Sequence, residues 1–294
     1  MTIKHLLAPL QLGALALPNR LVMAPLTRQR SLPGNVPGEL NARYYAQRAN
    51  AGLIISEASQ VCPEGQGYAW TPGIHSDAQV AGWQQVTQAV HQAGGRIFLQ
   101  LWHVGRISHP LLQPNGADPV APSAIQAKAE CYVVEADGSH HKAATAMPRA
   151  LELDELPGVV TAYAHGSENA IKAGFDGVEV HAANGYLLDQ FLCSNSNQRS
   201  DAYGGSVENR ARFVLEVLDA TVAAVGDSRK AGIRISPMGT FGDVHDANPL
   251  ETFSYLVSQL NSRNLAYLHV NRPDWLGGTF EGFDDLLRAL RDIY

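Results

Sequence analysis

Short apolar runs alternate along the chain with longer amphipathic segments. The short runs are almost continuously apolar or β-branched, as expected for parallel strands that are buried on both faces. They predict six strands, at residues 21–25, 53–58, 96–101, 177–181, 232–236 and 266–270. The longer segments repeat apolar residues every three or four positions, which is typical of helices packed on one face. They predict six helices, near residues 38–50, 78–94, 157–173, 206–225, 248–263 and 281–293.

Repeated strand–helix units predict an α/β fold in which helices cover a parallel sheet. A doubly wound open sheet and a (β/α)₈ barrel both fit this order, but no G-x-G-x-x-G follows the first strand, which disfavours a nucleotide-binding open sheet. Polar residues instead follow the carboxyl ends of several strands, where a barrel carries its active site. They are Thr27, Gln100, His103, His181, Asn184 and Arg234. We therefore predict a TIM (β/α)₈-type barrel of which six of the eight units are present.

Two segments lie outside the repeating pattern. The apolar stretch 6–17 is interrupted by Pro9, Gln11 and Gly13, so we expect a hairpin there rather than a signal peptide. Residues 104–156 form an insertion after the third strand, which we expect to cap the mouth of the barrel. The sequence has no other boundary, and we predict one domain over residues 1–294.

Composition narrows the class of protein. The 294 residues contain 22 Lys and Arg against 28 Asp and Glu, a net charge of −6 without a basic stripe, which disfavours nucleic-acid binding. Cys62, Cys131 and Cys193 are far apart, which disfavours a disulfide scaffold or a cysteine-rich zinc site and fits a reducing cytoplasm. No window holds the roughly 18 continuous apolar residues of a membrane span. We expect a cytoplasmic protein that binds neither metal nor membrane.

The strand at 177–181 is followed by a cluster of chemically active residues. His181, Asn184 and Tyr186 lie within six positions in the motif H-A-A-N-G-Y. Two hydrogen-bond donors can polarise a carbonyl or nitro oxygen, and a nearby phenol can deliver a proton. A capped strand end with a packed tyrosine explains the same pattern about equally well.

Several motifs together resemble the Old Yellow Enzyme family of flavin-dependent ene-reductases, and the bacterial branch of that family is most similar. The similarity is close, covers nearly the whole chain and keeps the motifs in order. They lie at residues 18–20, 23–28, 56–58, 100–106, 181–190, 199–213 and 234–239.

The resemblance implies FMN as the cofactor and NADPH or NADH as the reductant. It implies that Thr27 donates a hydrogen bond to the flavin O4, and that Pro25 and Ala58 line the ring system through their backbones. By the same resemblance, Gln100 binds the pyrimidine edge, and Arg234 places positive charge near N1 and O2. The hydride chemistry belongs to the cofactor, and the protein positions and tunes it.

The resemblance also implies an activated alkene as substrate, either an α,β-unsaturated carbonyl compound or a nitro compound. His181 and Asn184 would hold its oxygen, and Tyr186 would protonate the α-carbon while the flavin N5 gives hydride to the β-carbon. Asn184 stands where many bacterial members have His. Three aromatic residues resemble substrate-pocket residues, although simple packing explains them at least as well. They are Tyr68, Trp102 and Trp275.

The sequence departs from the family in one respect. Family members continue for two further strand–helix units, whose loops hold the FMN phosphate. We therefore expect open barrel edges that self-associate or accept a complementing chain, and weakened FMN binding. Two other functions stay open at this point. One is a shortened, weakly FMN-binding or inactive family member, and the other is a metal-dependent hydrolase using His181, His103 and His269.

Overall fold

The computed structural model describes residues 3–273 and 280–294, and it follows the predicted alternation of strands and helices. The strands are β1 Leu10–Leu12, β2 Leu15–Leu17, β3 Val22–Met23, β4 Leu53–Gln60, β5 Ile97–Trp102, β6 Val120–Ala121, β7 Glu130–Val134, β8 His140–Ala144, β9 Arg149–Ala150, β10 Gly177–Ala182, β11 Ala231–Ile235 and β12 Tyr267–Val270. The helices are α1 Ile3–Leu6, α2 Glu39–Ala46, α3 Asp77–Gln92, α4 Leu156–Lys172, α5 Leu187–Leu192, α6 Val207–Val225, α7 Pro249–Asn261 and α8 Phe283–Ile293. All six predicted strands and all six predicted helices are present, with ends that differ by a few residues.

The central sheet joins β3, β4, β5, β10, β11 and β12 in chain order. Every neighbouring pair is parallel. Val22 of edge strand β3 and Leu268 of edge strand β12 line one apolar cavity of about 250 Å³. The described strands therefore form a curled half-barrel rather than a flat sheet.

The outer helices bury one apolar face each against the sheet. Trp83 of α3, Tyr163 of α4, Phe213 of α6 and Phe253 of α7 are almost fully buried. Burying side chains of this kind contributes about 1.5–3 kcal/mol each. Side-chain caps help to define where helices begin. At the start of α7, the Asn248 side chain accepts a hydrogen bond from the Glu251 amide.

The two segments outside the strand–helix pattern, residues 6–17 and 104–156, each contain a hairpin. β1 and β2 pair antiparallel, which confirms the predicted N-terminal hairpin. Within residues 104–156, β7 and β8 form a second antiparallel pair. This insertion is tied to the loop after β11, because the buried Arg106 donates from Nη1 to the Ile125 carbonyl (3.3 Å) and from Nη2 to the Gly242 carbonyl (3.0 Å). None of the helices in residues 3–273 and 280–294 is long and apolar enough to cross a membrane.

Candidate active site

A cavity of about 390 Å³ opens at the carboxyl ends of the central strands. Most of the residues predicted for the site line it: Pro25, Thr27, Ala58, Gln100, Trp102, His181, Asn184, Tyr186 and Arg234. The strand register explains why they meet, because it pairs Ala58 with Gln100 and His181 with Arg234. Side chains on directly paired residues of neighbouring strands point to the same face of the sheet. Ala24, Leu26, Phe241 and Asn271 complete the lining.

Of the three predicted substrate-pocket aromatics, only Trp102 is among the residues that line this cavity. Tyr68 lies behind Tyr186, with 3.2 Å between the two hydroxyl oxygens. Its ring stacks on that of Trp102, with 5.9 Å between centroids. Trp275 lies outside the described residues.

The turn from His181 to Tyr186 has an unusual backbone. Asn184 and Gly185 both adopt positive φ, 57° and 72°. Asparagine tolerates this region better than most residues. Glycine is required at 185, because a Cβ there would lie 2.2 Å from the Phe241 carbonyl oxygen. This turn directs the Asn184 side chain into the cavity.

A buried carboxylate holds this turn in place. Oδ2 of Asp189 accepts hydrogen bonds from the Gly185 amide (2.8 Å) and the Ser236 hydroxyl (3.0 Å). The Ser236 Oγ in turn accepts from the Asn184 amide at 2.6 Å. Burial is the main cause that raises the pKa of Asp189 to about 6. Asp189 and Ser236 therefore fix the position of Asn184 without reaching the cavity.

Burial keeps the two chemically active rings in their neutral forms. It raises the pKa of Tyr186 to about 12, although the hydrogen bond with Tyr68 acts in the opposite direction. It also lowers the pKa of His181 well below its ordinary value, with the nearby Arg234 and His269 adding to the effect. At neutral pH the site therefore holds a protonated phenol beside an uncharged imidazole.

A second buried carboxylate, Glu179 of β10, orients Gln100. The Gln100 Nε2 donates to Oε1 of Glu179 at 2.7 Å, and Oε2 lies 2.9 Å from Nδ1 of His269. Glu179 is completely buried. Because the NH₂ group of Gln100 points toward the Glu179 carboxylate, the Gln100 carbonyl oxygen is left to face the cavity. A molecule bound in the cavity can donate a hydrogen bond to this oxygen.

Arg234 supplies the positive charge of the cavity. Its Nη2 donates to Oδ1 of Asn271 at 2.8 Å. Its Nε is buried without a hydrogen-bond partner among the described residues, as is Nδ1 of His181. Burial lowers the pKa of Arg234, but a guanidinium stays charged in proteins. Buried polar atoms normally have partners. A cationic donor and the Gln100 acceptor in one cavity fit the pyrimidine edge of a flavin, which has both acceptors and an N–H group.

The segment that carries Pro25 and Thr27 is held by Glu57 of β4. The buried Glu57 carboxylate accepts from the Arg28 amide at 2.8 Å and from Asn41 Nδ2 at 3.1 Å. Burial raises the pKa of this carboxyl group. The segment is thereby anchored to the sheet beside the cavity.

The histidines of the metal-hydrolase alternative have other partners. His103 accepts a hydrogen bond at Nδ1 from the Gly105 amide (3.1 Å), and burial lowers its pKa to about 4. His269 is bound to Glu179. In the part of the chain that the structure describes, no group of three or more His, Cys, Asp and Glu residues is arranged to hold a metal ion.

Four residues that shape the site were not predicted from the sequence to take part in it: Glu179, Asp189, Ser236 and Asn271. Two of them left a signal, because Glu179 and Asp189 are isolated acidic residues within otherwise apolar runs. A buried carboxylate normally has polar partners, so such positions indicate a hydrogen-bonded role. Ser236 and Asn271 left none, because only the tertiary structure brings them to the turn.

The chain matches one known protein family over most of its length. The model of the NADH:flavin oxidoreductase / NADH oxidase family matches residues 5–280. The chain belongs to this family. It is an FMN-dependent oxidoreductase, and the predicted resemblance to the Old Yellow Enzyme group is confirmed.

Several curated relatives match most of this chain. The flavin oxidoreductase hxnT of Emericella nidulans is 46% identical over 280 residues, which cover 92% of this chain and 70% of that protein. The 12-oxophytodienoate reductase 7 of rice, Oryza sativa subsp. japonica, is 43% identical over 98% of this chain and 76% of its own length. A probable flavin mononucleotide-dependent alkene reductase of Leishmania infantum is 44% identical over 93% of this chain and 75% of its own length.

Solved structures agree with the family. Morphinone reductase in complex with tetrahydroNAD has a TM-score of 0.93 and 52% sequence identity, covering 98% of this chain and 78% of that one. The Old Yellow Enzyme homologue from Zymomonas mobilis has a TM-score of 0.91 and 41% identity, covering 98% of this chain and 79% of that one. The α/β half-barrel of this chain therefore corresponds to part of a TIM-barrel flavoenzyme.

Proposed function

We propose that this protein is an ene-reductase that uses NADH or NADPH to reduce the activated C=C bond of α,β-unsaturated carbonyl or nitro compounds. The observation that carries the proposal is the convergence of His181, Asn184 and Tyr186 on the cavity that Gln100 and Arg234 also line. Similarity to an alkene reductase and to morphinone reductase supports the same reaction class.

In this proposal, five residues hold FMN. Gln100 would accept a hydrogen bond from the flavin N–H, and Arg234 would place its positive charge near the flavin pyrimidine ring. Thr27 would donate to the ring system, and Pro25 and Ala58 would line it through their backbones. FMN, when bound, would supply the hydride. NAD(P)H and the alkene would occupy this cavity in turn, which gives two half-reactions.

The substrate oxygen lies between His181 and Asn184. Two donors aimed at one oxygen stabilise the negative charge that develops there as hydride reaches the β-carbon. Tyr186 gives its proton to the α-carbon, and its raised pKa keeps the phenol protonated at neutral pH. Trp102 forms the apolar wall and contacts Tyr186 edge-to-face, with 4.9 Å between ring centroids. Tyr68 stacks on Trp102 and supports this wall from behind.

We also propose that the six strands are six units of an eight-unit barrel, with residues 104–156 capping its mouth. The unbroken parallel order of the sheet and the cavity shared by its two edges support this. The contacts of Arg106 support the capping role. FMN affinity and oligomeric state, measured with and without two further strand–helix units from a relative, test it. Tighter FMN binding and less association are expected with the added units, and no change in either would contradict the proposal.

The proposed chemistry is tested by Tyr186→Phe. We expect flavin reduction by NAD(P)H to stay nearly unchanged, while alkene reduction slows by ~10²–10⁴-fold, the usual contribution of general-acid catalysis. Rapid-mixing absorbance measurements resolve the two half-reactions, with several enones because some can take the proton from water. Tyr203→Phe, which removes a hydroxyl bonded to Glu216 outside the cavity, is the control. Equal slowing of both half-reactions would contradict the role of Tyr186.

A further inference from the structure

Asn271 lies between the charged and the neutral donors of the cavity. It directly follows β12, and its amide donates to the Ile235 carbonyl of β11 at 2.9 Å. Its side chain lines the cavity next to Asn184 and Arg234. It therefore has a fixed backbone and a side chain within reach of both residues.

The two ends of the Asn271 amide have different partners. Its Oδ1 accepts from Nη2 of Arg234 at 2.8 Å. Its Nδ2 donates to Oδ1 of Asn184 at 2.9 Å. A guanidinium can only donate, so Arg234 determines which end of the Asn271 amide turns toward it. The NH₂ group of Asn271 must then face Asn184.

The orientation of the Asn184 side chain follows from that of Asn271. The Asn184 carbonyl oxygen is engaged by Asn271, and the Asn184 backbone is held by Ser236 and by the left-handed turn. The amide nitrogen of Asn184 is therefore the end left to face the cavity. The direction of each hydrogen bond in this series is determined by the one before it. The series begins at the Arg234 guanidinium, which can only donate.

We propose that Asn271 is a positioning residue for Asn184. Because Arg234 can only donate, Asn271 accepts from it and turns its own NH₂ group toward the Asn184 carbonyl oxygen. Asn184 therefore offers its NH₂ group to a substrate oxygen. This inference rests on the proposed function. It assigns the selectivity of the cavity for hydrogen-bond acceptors to a residue that acts through Asn184.

The test replaces Asn271 by a residue that accepts but cannot donate. In Asn271→Asp, one carboxylate oxygen keeps the bond from Arg234, and the other accepts from Asn184. The Asn184 amide then turns and presents its carbonyl oxygen to the cavity. With the FMN-loaded protein, calorimetric titration with pentafluorophenol, which is ionised at neutral pH and can only accept, should give ~10–100-fold weaker binding.

A double-mutant cycle separates this effect from simple charge repulsion or structural damage. The single variants Asn184→Ala and Asn271→Asp and the double variant are titrated with the same anion. If Asn271 acts through Asn184, the effect of Asn271→Asp becomes much smaller when residue 184 is alanine. An effect of equal size in both backgrounds would overturn the inference and leave the proposed function intact.

Two further outcomes have defined meanings. If Asn184→Ala leaves the affinity for the anion unchanged, Asn184 is not a substrate donor, and both that part of the proposed function and the inference fail. If Asn271→Asp does not retain FMN, Asn271→Leu serves as the second variant. It frees the Asn184 amide to adopt both orientations and should weaken binding by ~3–10-fold, again only when Asn184 is present. Unchanged binding in Asn271→Leu would overturn the inference.

Discussion

Gln100 and Asn184 line one cavity, yet their neighbours turn their amide groups in opposite directions. Gln100 donates to the buried Glu179 carboxylate and leaves its carbonyl oxygen for the cavity. Asn184 accepts from Asn271 and leaves its NH₂ group. The same functional group thus accepts on the proposed flavin-binding side of the cavity and donates on its proposed substrate side.

The difference shows that a buried amide takes its polarity from its surroundings. A carboxylate can only accept and a guanidinium can only donate, so each dictates the orientation of the amide next to it. Glu179 acts directly on Gln100, whereas Arg234 acts on Asn184 through Asn271. Polar groups held in this way need no reorganisation during reaction, which is the basis of electrostatic catalysis.

The largest effect is expected from removing the substrate-side donors. His181→Ala combined with Asn184→Ala should abolish phenol binding to the oxidised protein, because two lost bonds to a charged oxygen cost about 3–6 kcal/mol, or ~10²–10⁴-fold in affinity. Calorimetric titration of the FMN-loaded variant measures it, with His91→Ala on the outer helix α3 as the control. Phenol affinity equal to that of the unmodified protein would remove both residues from the site.

The sequence predicted which residues line this cavity better than it predicted how their side-chain amides are oriented. Strand ends and the motifs around His181 and Gln100 identified most of the lining residues, because parallel strands bring their carboxyl ends together. The polarity of each amide could not be predicted, because it depends on Glu179 and Asn271, which only the folded sheet places beside Gln100 and Asn184. The left-handed turn at Asn184 and Gly185 likewise depends on Ser236, 52 residues away in the chain.

An intermediate effect concerns the support of the Asn184 turn. The folded protein raises the pKa of Asp189 from 3.8 to about 6, so it holds this proton more tightly than the unfolded chain does. The contribution of Asp189 to the free energy of unfolding is therefore complete below pH ~4, falls as the pH rises to ~6, and is then constant. At about 1.4 kcal/mol per pH unit, the total fall is about 3 kcal/mol.

Denaturant unfolding of the unmodified protein and of Asp189→Asn, from pH 4 to 8, isolates this contribution. The stability of the unmodified protein relative to the variant should decrease between pH ~4 and ~6 and stay level above that range. A relative stability that increases over the same range would contradict the raised pKa of Asp189.

The smallest effect is expected on the flavin side. Glu179→Gln replaces a carboxylate that only accepts by an amide that can also donate, so Gln100 is no longer held in one orientation. FMN affinity, measured by quenching of flavin fluorescence, should fall by ~10-fold. Glu168→Gln on the exposed face of α4 is the matched control.

A modified cofactor sharpens this test. FMN methylated at N3 lacks the N–H that Gln100 is proposed to accept, so the unmodified protein should bind it more weakly than FMN. Glu179→Gln should discriminate less between the two flavins. Equal discrimination by the variant and the unmodified protein would show that Glu179 does not orient Gln100.

Neutron diffraction from deuterium-exchanged crystals of the FMN-loaded protein, with pentafluorophenolate bound, tests the opposite orientation of the two amides most directly, because deuterium distinguishes an ND₂ group from a carbonyl oxygen. We predict that the deuterons on Asn184 point at the ligand oxygen, those on Asn271 at Asn184, and those on Gln100 at Glu179. Deuterons of Gln100 directed into the cavity, or a carbonyl oxygen of Asn184 facing the ligand, would contradict it.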